Sequence, residues 1–193
     1  MDTQAHERAH ARTRKDKDRF FRVSADSPLS PEQRAQFTGL RYYPYNPALV
    51  FTVQAEPVAA DRAITITTTT GDLRLHRRFA RFTVTIEGVS VSLTLYDTGS
   101  GFFLPFTDAD AGTETYPAGR YLDPEQHADG RFTVDFNHAY NPYCAYAEPA
   151  ALAASAGREP RAWSCPITPP ENRLSVSVRA GELLPRGPWV EGG

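Results

Sequence analysis

The chain has 193 residues, of which 40% are hydrophobic and 23% charged, the make-up of an ordinary globular protein with enough chain for one domain and a real core. A formal net charge of −2 supplies no bulk field to recruit nucleic acid or an acidic membrane. No stretch approaches the roughly 18 apolar residues of a membrane span, and the basic start lacks the apolar run of a signal peptide, so the cytoplasm is the expected compartment.

The expected organisation is a single domain over 1–193, with 1–22 a polar helical arm and 148–160 an Ala-rich excursion. His6, Arg8, His10, Arg12, Arg14, Lys15, Lys17, Arg19 and Arg22 make the arm basic, with Asp2, Glu7, Asp16 and Asp18 interleaved. Mixed charges on every face predict a helix that frays into solvent, with Phe20 and Phe21 pinning its end. A second helix is better marked: Ser30 can cap it, Pro31 fits its first position, Gln33 completes a capping-box spacing and Gly39 would stop it. Beyond it the period changes to two. Candidate strands are 48–54, 64–67, 73–75, 82–86, 89–95, 102–106, 131–136 and 174–178. Gly71-Asp72 fits a two-residue type II′ hairpin, and Glu87-Gly88 turns the chain. Short strands at this spacing predict a mainly β fold, an antiparallel sandwich or partly open barrel, with short N-terminal helices. The segment "EPAALAASAGREP" is either one short helix or a mobile excursion.

Several motifs dissolve on inspection. "LYDTGSG" at 95–101 looks like an aspartic-protease signature, but that chemistry needs two facing carboxylates, only one copy is present, and Asp-Thr-Gly-Ser is what a turn between strands needs. Gly99 and Gly101 have no following helix, so they do not make a phosphate loop. Asp108, Asp110 and Glu114 lack the ligand rhythm of a calcium loop. Cys144 and Cys165, expected to be reduced thiols, would need more than His138 beside them to complete a zinc site, so no metal is predicted.

Three richer segments remain: "PFTDADAGTETYPAGRYLD", "VDFNHAYNPYCAY" and "CPITPPENRLSVSVRAGE". With "SPL", "GLRYYPYNPA" and Phe20-Phe21-Arg22, they resemble a bacterial family with no assigned activity, the domain of unknown function 1684 group, over about residues 19–182. The resemblance implies a compact, mainly β domain and no particular reaction. The chain departs from the family pattern at Pro117, in its longer Ala-rich insert, and at His138, where the family often has Arg. That last departure argues against His138 as an essential base or ligand.

Pro-restrained loops next to strands suggest one polar cluster: Asp135, Asn137, Tyr140, Asn141, Glu171, Asn172 and Arg173, bordered by Tyr116 and Arg120. Three readings fit it. Aromatic walls with a few fixed polar groups would bind a small polar or anionic molecule. Glu171 or Asp135 could serve as general base of an enzyme, with Arg173 or Arg120 holding an anionic substrate. Or the cluster is a purely structural network. The expected partner is a small-molecule ligand, with no nucleic acid and no membrane; the cofactor is unknown.

Overall fold

The structure, a computed structural model, describes residues 3–58 and 63–191; the remaining parts of the 1–22 arm and of the 1–193 domain lie outside these bounds. Helices open the chain. α1 (Thr3–Val23) is the predicted polar helix, and α2 (Pro31–Gln36) carries the full capping box, with the Ser30 hydroxyl accepting from the Gln33 N–H and the Gln33 side chain returning to the Ser30 N–H. α2 ends one turn early, at an extended Phe37 cap. Gly39 instead lets the Asp18 carboxylate approach the backbone, where it accepts from Leu40 N–H at 2.9 Å.

The expectation that α1 frays into solvent is overturned. His10 is 5% exposed and Phe21 fully buried, Lys17 pairs with buried Glu182, and the Arg14 guanidinium lies 4.5 Å from the Tyr42 ring centre. The polar face of α1 is paired with groups far along the chain. A charge pattern alone cannot distinguish that from a solvated face.

Among the described residues nine strands follow: β1 (Val50–Val53), β2 (Glu56–Pro57), β3 (Ala63–Thr67), β4 (Leu73–Ile86), β5 (Val89–Asp97), β6 (Phe102–Phe106), β7 (Arg120–Leu122), β8 (Glu125–Gln126) and β9 (Phe132–Asp135). All pair antiparallel, as a small sheet β1-β9-β8 and a large one β2-β4-β5-β6-β7 with β3 also on β4. Register opposes Phe82 to Leu93 and Val84 to Val91, and these inward residues share one core with Val53, Phe132 and Val134 of the small sheet. Each such buried side chain contributes about 1.5–3 kcal/mol. The fold is thus mainly antiparallel β, as its alternation predicts, with both sheets open among the described residues. No helix there is long and apolar enough to cross a membrane.

Three local expectations change. Segments 73–75 and 82–86 belong to the single strand β4, whose pairing with β5 slips between Arg78 and Ala80; this bulge is what splits the sequence pattern. The β3–β4 hairpin has a three-residue loop, with Gly71 at φ 86° and the Thr68 N–H donating to the Asp72 carbonyl. That is a type I turn with a glycine bulge rather than type II′. Segment 174–178 buries Leu174, Val176 and Val178 alternately but forms no strand; its backbone is satisfied by scattered contacts, from Thr107 and Ala109 and from side chains described below. In the Ala-rich stretch, α3 (Ala150–Ser155) is followed by Arg158, which grips buried Glu148 through two contacts of 2.6 Å.

Candidate functional site

Arg120, on β7, is 1% exposed. Its guanidinium donates to Asp108 at 2.9 Å and to the carbonyls of Val178 (2.8 Å), Glu182 (3.1 Å) and Ala180. Asp108 completes the latch by accepting from Thr115 at 2.6 Å and from Val178 N–H at 3.0 Å. Segment 174–182 is therefore held in large part by these two side chains, with backbone contacts from Thr107, Ala109 and Ala139 besides. Asn172 works the same way: its amide accepts from Thr94 N–H (2.7 Å) and donates to the Thr94 and Pro105 carbonyls (2.8 Å each), filling the gap where β5 and β6 separate. Glu171 accepts from Arg78 (2.7 Å) and the Tyr96 hydroxyl (2.8 Å). Burial pushes its carboxyl pKa up, and these donors outweigh that and hold it below the ordinary value. Arg173 is exposed and contributes backbone pairing with Thr107.

The other predicted residues lie elsewhere. At the end of β9, Asp135 accepts from the Asn137 backbone and side-chain N–H groups at 2.9 Å, and Asn137 clamps the backbone of Asn46. The second Asp135 oxygen lies 2.9 Å from His10 and 3.9 Å from His138. These three residues could hold a metal ion. His138 thus stands with His10 and Asp135, not with the cysteines. The hydrogen-bond partners of Asp135 and Glu171 do not overlap, so the cluster expected from sequence is divided among separate networks.

Tyr140 and Asn141 do meet at a cavity. Tyr140 pairs its backbone with Tyr121 and donates its hydroxyl to Asp123 at 2.9 Å. The Asn141 N–H donates to Glu182 at 2.8 Å. That carboxylate, 1% exposed, also takes the Tyr146 hydroxyl at 2.5 Å and the Lys17 ammonium. Gly181, at φ 76°, makes this possible, since a Cβ there would come within 2.6 Å of the Ala139 carbonyl. The cavity has a volume of about 540 Å³. Phe103, Tyr121, Tyr140, Tyr143 and Trp163 wall it, and Lys17, Arg74, His76, Asn141 and Cys165 also line it. Burial, with Arg74 nearby, lowers the His76 pKa and keeps the ring neutral.

Behind the wall the two thiols interact. The Cys144 N–H donates to the Cys165 sulfur at 3.3 Å, and the Tyr116 hydroxyl donates to the Cys144 sulfur at 3.4 Å. Hydrogen bonding from the Cys144 thiol draws the Cys165 pKa down to about 7 against the effect of burial, while Cys144 is pushed up. Of the pair, Cys165 ionises first.

The family model for a protein of unknown function (DUF1684) matches residues 35–183. The chain belongs to this family. Among solved structures, this family member is similar to the solution NMR structure of an uncharacterized protein of Haloarcula marismortui, at 32% identity and a TM-score of 0.61, covering 94% of this chain and 96% of that one. Among curated proteins, none matches.

Lys17, Arg74, His76, Tyr121 and Trp163 were not among the residues predicted from sequence, and neither was Glu182. Each sits in a stretch whose local pattern reads as solvated helix, strand or loop, and only the tertiary fold assembles them. The signal available was Gly181-Glu182 at the end of a Pro-restrained segment.

Proposed function

We propose that this family member binds a small anionic molecule with an aromatic or apolar body in the 540 Å³ cavity. The observation that carries this reading is the combination of five aromatic walls with the cationic side chains of Lys17 and Arg74 on the same cavity. Its volume falls within the roughly 300–1,000 Å³ of ligand pockets, and aromatic faces with a few fixed charges are what such pockets use for orientation. Lys17 is largely committed to Glu182 and lies 5.1 Å from the Tyr140 ring centre, which makes exposed Arg74, held by one hydrogen bond of 2.9 Å to the Ser164 carbonyl and by no ion pair among the described residues, the main anchor for the anion. Tyr140 and Asn141 line this cavity; Asp135 and Glu171 do not. The closed hydrogen bonding of Arg120, Asn137 and Asn172 supports a structural role for those three.

Titration with anilinonaphthalene sulfonate, an aromatic anion, tests the proposal. Saturable binding at one site is expected, with quenching of Trp163. Arg74→Glu should weaken it about tenfold, or about 1.4 kcal/mol. Binding that never saturates, or that ignores Arg74→Glu, would overturn the assignment.

A further inference from the structure

The corner where α1 meets the end of β9 holds a second arrangement that the aromatic cavity does not use. Ligand atoms of His10, Asp135 and His138 all lie within 4.8 Å of one another. We propose that these three residues bind one divalent transition-metal ion, zinc in the first instance, through two imidazole nitrogens and one carboxylate oxygen.

The distances fit. Zinc takes nitrogen and oxygen ligands at about 2.0–2.1 Å, so tetrahedral ligands stand about 3.3 Å apart. The His10 Nε2–Asp135 Oδ2 and His138 Nε2–Asp135 Oδ2 separations, 2.9 and 3.9 Å, bracket that value. A hydrogen bond between His10 and Asp135 explains the first distance only. It does not explain why a second imidazole lies with its ring centre 4.0 Å from the first and its Nε2 towards the same oxygen.

The surroundings complete the site. Asn137 donates twice to Asp135 Oδ1, which fixes the carboxylate and leaves Oδ2 for the ion, as outer-shell partners of metal ligands do. Side-chain exposure rises from 6% at His10 to 14% at Asp135 and 50% at His138, so the remaining coordination positions face water. Asp135 and His138 border a cavity of about 330 Å³ shared with Asp123 and Glu125. Two imidazoles and one carboxylate with open positions suit zinc or ferrous iron better than calcium or magnesium. Arg14 is close enough to feel the Asp135 charge, and its own charge weakens the binding of a cation there.

Untagged protein, stripped with a chelator and dialysed, is titrated with Zn²⁺ by calorimetry and with Co²⁺ by visible absorption. One ion per chain is expected for each metal, with a cobalt spectrum of four or five coordination. His138→Ala changes a half-exposed side chain and should leave the melting temperature of the metal-free protein unchanged. It should weaken zinc binding more than about 100-fold, beyond the 10–100-fold that outer-shell partners command. Cys165→Ser should leave zinc binding unchanged. The proposal is overturned if the folded wild-type protein shows no saturable zinc binding, if binding survives His138→Ala, or if Cys165→Ser abolishes it.

Discussion

Asp108 and Asp135 are both carboxylates facing cationic or ionisable partners, yet they sit in opposite situations. Around Asp108 both carboxylate oxygens are engaged by buried protein donors. Thr115, Val178 and Arg120 saturate it, Arg120 spends its other donors on backbone carbonyls, and both side chains are 1% exposed. Asp135 has one oxygen saturated by Asn137 and the other shared between two imidazoles, one of them half exposed. A buried charge whose partners are complete stabilises and specifies a fold, whereas one whose partners are incomplete and reachable from solvent has coordination left to offer a ligand.

That contrast can be broken at its sealed end. Arg120→Ala leaves Asp108 buried without its cation and takes a charged donor from three carbonyls, and should cost about 3–5 kcal/mol. Urea unfolding measures it, and a loss below about 1 kcal/mol would mean that the latch is not what fixes segment 174–182.

Cys165 tests the intermediate case, a buried group whose one strong partner is another thiol. Its pKa in the fold lies at about 7, below the ordinary 9.0, chiefly through the Cys144 hydrogen bond. A depressed acid stabilises the folded state fully above its unfolded value, so this contribution is present above about pH 9 and is lost as the pH falls through about 7. Iodoacetamide labelling followed by peptide mass spectrometry should give a Cys165 rate that rises with a midpoint near that lower value. Cys144 should lag, and Cys144→Ala should move the Cys165 midpoint up. An unmoved midpoint would assign the shift to something other than the thiol pair.

The smallest effect is expected at Arg173, whose side chain is exposed. Arg173→Ala should change stability by less than about 0.5 kcal/mol. A larger loss in the same urea assay would show that the exposed arginine is part of a closed network after all.

These cases also mark what a sequence makes legible. The α2 capping box is read correctly because Ser30 and Gln33 answer each other within one turn. β5 and the second half of β4 are read correctly because alternation reports burial. Segment 174–178 alternates just as well and yet is no strand: alternation says which side chains face the core, not what satisfies the backbone, and here part of the answer is a side chain, Arg120, 58 positions from Val178. The candidate site divides along the same line. Tyr140 and Asn141 stand out in an aromatic, Pro-restrained loop and do reach the cavity. Lys17, Arg74 and His10 carry no local mark, since what distinguishes them is a partner supplied from far along the chain.

The docking of α1 sets an order of events during synthesis. Phe21 buries itself with Phe37, Tyr146 and Trp189, and Lys17 and His10 find Glu182 and Asp135, 165 and 125 positions further on. A helix made first therefore waits, polar on most of its surface, until nearly the whole sheet has formed. Contacts this distant are slow to close. The abundance of charge that makes α1 look like a solvated arm then has a use of its own: it keeps the waiting helix from aggregating before its partners emerge.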